Sequence, residues 1–289
     1  MRPLVVVALT SQLLPDLAPM PGAAWRAIKR LPESEILPFA RLRLPGSDAE
    51  LMQRRLDRLE EYEEAIGRLS EAGISLVTEF EVDFPQLWIQ RLGDKTASHL
   101  FVAGNLALLN TPAIGIVGSR DVESLGTLFS NEVAAESVRL GYNVISGGAK
   151  GVDEVAMRAA ISSGGSAVGI LAESILKHMK KWDWDSGNVC LATPFAPDLG
   201  FLVGNAMARN KLIYAGSQAT VVVSSALESG GTWAGATEAL KQNLCPLLVR
   251  DVGIDGNQAL VKLGGTRIRR AGELEGLLKS ATPVQGSLL

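Results

Sequence analysis

The chain has 289 residues, of which 47% are hydrophobic and 20% charged, and its formal net charge is −3. That length carries one large domain, or one domain with a smaller companion, and enough apolar material for a full core. The mild acidity excludes a basic footprint over the whole chain, so any nucleic-acid contact must be a local patch.

The opening "MRPLVVVALTSQLLP" holds an apolar run of about six residues, too short to cross a bilayer. It lacks the small-residue cleavage pattern of a signal peptide, so a cytoplasmic protein with no membrane partner is expected. "PGAAWRAIKRL" reads as a short helix between proline-rich turns. "SDAELMQRRLDRLEEYEEAIGRLSEAG" (47–73) reads as one helix. Ser47 is placed as its N-cap, with Glu50 completing a capping box. Leu51, Leu56, Leu59, Ile66 and Leu69 recur at roughly helical spacing, and Gly73 is placed to end the helix. Residues 1–73 are therefore expected to form a small helical (SAM-like) domain, with "GISLVTEF" supplying the first strand. A main domain is expected over 74–280 and a tail over 281–289.

From Pro112 the pattern alternates. "AIGIVGS" (113–119) is a continuous apolar run, as for a strand buried on both faces. "LFSNEVAAESVRLG" follows with helical periodicity, and Gly141 is a suitable residue to end it. "YNVISGG", "SAVGILA", "ATVVVSSA" and "CPLLVR" read as further strands, with "VDEVAMRAAISSGG" and "ATEALKQN" as helices. Strand–helix alternation with short links predicts an α/β fold with a doubly wound, mostly parallel sheet.

Three strand-ending loops carry unusual chemistry: "GSR" (118–120), "SGGAKG" (146–151) and "SGGT" (229–232). In an open α/β sheet ligands bind beyond the carboxyl ends of the strands. Each loop is placed to open a helix, whose free N–H groups and dipole attract anions. Arg120 and Lys150 add positive charge at two of the rims, so the expected ligand is a phosphate group. No P-loop and no G-x-G-x-x-G after a strand is present, which disfavours ordinary triphosphate and dinucleotide folds. A fourth segment, "GNAMARNKLIYAGS" (204–217), places Arg209, Asn210 and Lys211 together, and no acidic residue occurs from Leu199 to Ala226.

Conventional catalysis finds little support. His99 and His178 sit in unrelated segments with no nucleophile elbow beside them, and surface or capping roles are expected. "WDWD" (182–185) offers two carboxylates but no metal-ligand pattern, and Trp182 and Trp184 are expected to pack in a core or interface. Cys190 and Cys245 form no disulfide framework and no zinc spacing, as for reduced buried thiols.

In this order the four segments resemble the DprA/Smf family of DNA-processing proteins. The family's Gly-Ser-Arg turn matches Gly118-Ser119-Arg120, and its Ser-Gly-x-Ala-x-Gly-Ile-Asp turn matches "SGGAKGVD" (146–153). Its Arg-Asn-Arg segment matches "RNK" at 209–211, and its later Ser-Gly loop matches Ser229-Gly230-Gly231. "DFPQLWIQRLGDKTASHLFVAGNLALLN" (83–110) and "GNQALVKLGGTRI" (256–268) resemble its lead-in and closing segments. Met157 stands where the family usually has His, and Lys211 where it has a second Arg. The resemblance implies an extended Rossmann-like domain that binds single-stranded DNA, helps load a RecA-like recombinase, forms homodimers and is not an enzyme. It implies phosphate contacts from Ser119, Arg120, Lys150, Arg209, Asn210 and Lys211. Gly118, Ser146, Gly147, Gly148, Gly151, Ser229, Gly230 and Gly231 would shape the loops, with no cofactor and no metal. An alternative follows from "GGTWAGATE" (230–238), which partly echoes the loop of LOG-type nucleotide hydrolases and ligand sensors, a resemblance that would imply a place in a bacterial defence system. There Arg120 or Arg209 would work with Glu238. A third class is an interaction module with an empty pocket.

Overall fold

The computed structural model describes residues 1–281. Of the tail expected over 281–289, all but its first residue lies outside the described residues. The chain opens with five helices: α1 (Pro3–Thr10), α2 (Gly22–Ile28), α3 (Glu33–Arg43), α4 (Gly46–Leu56) and α5 (Leu59–Glu71). The remainder alternates strands and helices: β1 (Ile74–Thr78), α6 (Gln86–Leu92), β2 (His99–Gly104), β3 (Ala113–Val117), α7 (Ser124–Arg139), β4 (Asn143–Ser146), α8 (Val152–Ser162) and β5 (Ala167–Ile170). It continues through α9 (Ile175–Met179), β6 (Val189–Thr193), α10 (Val203–Ala215), β7 (Ala219–Val222), α11 (Gly230–Gln242), β8 (Leu247–Arg250), α12 (Asp255–Lys262), β9 (Thr266–Ile268) and α13 (Leu274–Ala281).

The apolar opening run is a buried helix. Val5 to Leu9 are all inside, as a helix without a polar face requires. The single helix expected over 47–73 is two helices, α4 and α5, because their apolar faces serve different cores. Ala49 and Met52 pack among the N-terminal helices, whereas Tyr62 packs with strand residues Phe101, Ala103 and Leu191. Ser47 is not the N-cap: α4 starts one residue earlier, after Pro45 at φ −52° and ψ 141°, with no side-chain cap bond. Gly73 (φ +80°) and Gly141 (φ +83°) do end their helices in the left-handed region.

The strands form one nine-stranded sheet in the order β1-β2-β6-β5-β4-β3-β7-β8-β9. From β6 to β9 in that order every pairing is parallel, while β2 runs antiparallel to both β1 and β6. The fold is thus α/β with a mostly parallel, doubly wound sheet. One core face packs β strands against α6, α10 and α11 through residues such as Trp88, Leu212 and Ala236. The other packs α7, α8 and α13 through Phe129, Val133, Val152 and Leu274.

Neither histidine is at the surface. His99 begins β2, an interior strand beneath α1, and its Nδ1 lies 2.9 Å from the Thr10 hydroxyl. Burial lowers its pKa to about 4. His178 is buried on α9. Cys190 and Cys245 are free and buried. Trp182 is buried under the Arg158 guanidinium, 4.8 Å from its ring centroid. Among the described residues no helix is long and apolar enough to cross a membrane.

Candidate nucleic-acid interface

The chain runs from β3 through β4 and β5 to β6 on one side, then returns to β7 and builds β8 and β9 on the other. The strand order therefore reverses between β3 and β7, and a crevice opens at their carboxyl ends. A cleft of about 670 Å³ lies there. It is lined by the 118–120 turn, the first turn of α8, the front of α10, and residues 228–229 with the first turn of α11.

The turn after β3 is tied from below. The Ser119 N–H donates to the Ser224 hydroxyl at 3.1 Å, and its carbonyl accepts from the Val152 N–H at 3.2 Å. Gly151 precedes α8 at φ +90°, and a Cβ there would sit 2.4 Å from the Ser119 carbonyl oxygen. Only glycine meets both demands. Ser146 donates to the Ile116 carbonyl at 2.6 Å and locks the end of β4 to β3. Arg120 is exposed at the rim, its guanidinium 4.6 Å from the Phe201 ring centroid.

Arg209 is the centre of the cleft. It lies on α10, is 6% exposed, and among the described residues its Nε and Nη1 have no hydrogen-bond partner. Gly147 makes room for it: a Cβ at that position would fall 1.7 Å from Arg209 Nη1 and 2.4 Å from Asp153 Oδ2. Burial lowers the Arg209 pKa, an effect the Asp153 charge partly opposes. Burial raises the Asp153 pKa, and the Arg209 charge with the nearby Ala149 and Gly147 amides offsets only part of it. The site thus holds a desolvated cation with free N–H groups, and a carboxyl group pushed toward its neutral form.

Asn210 follows Arg209 and donates from Nδ2 to the Gly231 carbonyl at 2.9 Å, holding the third loop against α10. Ser229, Gly230 and Gly231 line the cleft with Thr232, at the start of α11. Gly118, Ser119, Arg120, Arg209 and Asn210 line it as well, while Ser146 and Gly147 lie directly behind. Lys150 and Gly148 do not line it; Lys150 is exposed beside it and Gly148 backs onto Leu171 and His178. Lys211 points elsewhere, its Nζ donating to the Lys95 carbonyl at 3.3 Å. Sequence reasoning missed Phe201, Tyr214, Trp233 and Asp153 as wall residues. Asp153 closes the "SGGAKGVD" turn, and that motif was the available signal for it. Glu238 accepts from Gln242 at 2.8 Å on α11 and is not part of the lining.

Residues 75–278, more than two thirds of the chain, match the model of the DNA recombination-mediator protein A family. The chain belongs to this family. Among curated relatives, DNA processing protein DprA of Bacillus subtilis is 27% identical over 178 residues, covering 60% of this chain and 59% of the relative. Protein Smf of Escherichia coli is 29% identical over 189 residues, covering 61% of this chain and 49% of the relative. The matched stretch spans roughly half to three fifths of those relatives. DprA from Streptococcus pneumoniae superposes with a TM-score of 0.73 at 18% identity, over 95% of both chains. DprA from Helicobacter pylori, whose structure concerns a single-stranded DNA binding mode, superposes at 0.60 and 23% identity, over 72% of this chain and 97% of the other. At these identities the two structures speak for the shared fold of the recombination-mediator family.

Proposed function

We propose that the chain binds single-stranded DNA through its phosphates at the β3–β7 cleft and does no chemistry on them. Acting in the cell interior as a homodimer, it would pass the strand to a RecA-like recombinase, in keeping with the family's description as recombination mediators. The observation that carries the reading is Arg209. A buried cation with unsatisfied N–H groups is costly, and an anion that enters the cleft and accepts from Nε and Nη1 reduces that cost. Arg120 adds a second cation at the rim, and Phe201 beneath it offers a stacking face for an unstacked base. Ser119 and the glycines at 230 and 231 complete the cradle. Hydrolysis of free nucleotides is the weaker reading, because Glu238 does not line the cleft.

The test is fluorescence anisotropy with a labelled single-stranded oligonucleotide across salt concentrations. For single strands, log K falls with log salt by about 0.7 per phosphate neutralised. Arg120→Ala is expected to flatten the slope by about 0.7. Arg209→Gln is expected to weaken binding more than about tenfold, near 1.4 kcal/mol. Absence of binding at low salt by the folded wild-type chain overturns the proposal and turns the test to small nucleotides.

A further inference from the structure

We infer that the strand leaves the cleft in one direction, across the carboxyl ends of β4 and β5, onto a lysine platform formed by Lys150 and by Lys177, Lys180 and Lys181 of and after α9. The inference rests on the reading of the cleft as a DNA phosphate site and specifies where the polymer continues.

The platform is one surface because α9 packs directly on the glycine loop. A Cβ on Gly148 would lie 3.5 Å from both Cε1 and Nδ1 of His178, so the α9 imidazole backs that loop. One turn further, Lys181 Nζ reaches Glu154 in the first turn of α8 at 2.6 Å. Lys150 lies between these contacts, four residues before Glu154. Lys177 pairs with Glu173 at 3.1 Å but keeps 72% of its side chain exposed. Lys150 and Lys180 are exposed, and among the described residues neither has a partner. Two carboxylates, Glu154 and Glu173, therefore face four ammonium groups. Asp183 and Asp185 follow in sequence, but the chain has by then descended. The Trp184 carbonyl lies against Gly104, which pairs with Cys190 at the amino end of β6.

The other flank offers no excess of positive charge. Beyond β8, Asp251 engages Arg269 at 2.9 Å and Arg267 at 3.6 Å, and Glu273 lies 3.7 Å from Arg270. Glu123 engages Arg250 at 2.8 Å, and Glu228 stands at the cleft edge on that side. A polymer of negative charge crossing the sheet end meets an excess of ammonium groups on one side and balanced charge on the other.

Distance fits as well. From β3 to β5 is two inter-strand spacings, about 10 Å. That is on the order of three phosphates at the stacked rise of about 3.4 Å per strand. A strand anchored at Arg209 reaches the platform within a few nucleotides, so a short oligonucleotide fills the cleft alone and a longer one fills both.

Anisotropy salt titrations of the full chain with thymidylate oligomers of about 4 and about 16 nucleotides separate the two contacts. Lys177→Gln/Lys180→Gln removes two exposed charges and no buried contact. It is expected to flatten the salt slope for the 16-mer by about 1.4 and to leave the 4-mer unchanged. Arg269→Gln/Arg270→Gln is expected to change neither. An unchanged 16-mer slope in the lysine variant, with Arg120→Ala still flattening it, overturns the platform and keeps the cleft. Equal losses at both lengths also overturn it. No binding of either oligomer to the wild type overturns the cleft reading and this inference together.

Discussion

Arg209 and Gly147 are coupled by space rather than by bonding. The guanidinium occupies the volume that any side chain at 147 would need, with 1.7 Å between Nη1 and an added Cβ. Gly147→Ala is therefore expected to push Arg209 off its position in the cleft. The overpacking costs about 1–3 kcal/mol of stability, and oligonucleotide affinity should fall about tenfold or more, near 1.4 kcal/mol. Denaturant melts and anisotropy on the same sample check both. Unchanged affinity in a folded variant would show that the Arg209 position does not matter. Helical phase explains why the neighbouring basic residue behaves differently. Two residues on a helix are separated by about 200° of rotation, so Arg209 faces the cleft and Lys211 faces Lys95.

At the scale of elements, α4 anchors the N-terminal half through Arg55, a fully buried cation that has no carboxylate partner among the described residues. It donates to the carbonyls of Ala8, Ser11, Leu17 and Ala18, pinning the end of α1 and the loop after it. Its ring contact with Tyr62 joins α4 to α5, 5.5 Å from guanidinium to centroid. Arg55→Leu leaves four carbonyls without their donor, each worth about 1–3 kcal/mol when buried. The expected loss is at least about 3 kcal/mol, read as a lower urea midpoint with DNA binding intact in the fraction that remains folded. Arg91 plays a comparable part for the site helix. Its Nη1 donates to the Ala215 carbonyl at 3.1 Å and to the Ser217 carbonyl at 2.5 Å, closing the end of α10 opposite the cleft-facing turn.

Over the whole molecule, the N-terminal helices and the sheet share one core cluster in which Val7, Ala8 and Tyr62 pack with Phe101, Ala103 and Leu191. His99 sits at this junction, against Thr10. Its folded pKa of about 4 lies below the ordinary value of 6.5, so the unfolded chain binds the proton more tightly. Stability is complete above pH 6.5 and declines as pH falls toward 4, by about 3 kcal/mol in total. His178, whose pKa burial also lowers, contributes in the same direction. Urea midpoints measured from pH 7 to pH 4 should fall across this window, and His99→Gln should flatten the profile. A flat wild-type profile would contradict the burial of His99. Melting of the helices apart from the sheet would contradict the shared core.

The sequence by itself determined the α/β alternation, the parallel run of apolar strands, the three strand-ending loops and the family. Each rests on local information: periodicity, glycine at turns, and motif order. Tertiary structure alone decided which polar groups meet. It placed Phe201, Tyr214 and Trp233 around the cleft, side chains that carry no signature of their own even where their segments do, and it set β2 antiparallel beside β6, with His99 beneath α1. It split the helix over 47–73, since its two halves pack into different core clusters. It also turned Arg209 inward and Lys211 away, because the helical phase of α10 against the sheet, not the presence of a cation, selects the charge that faces the cleft.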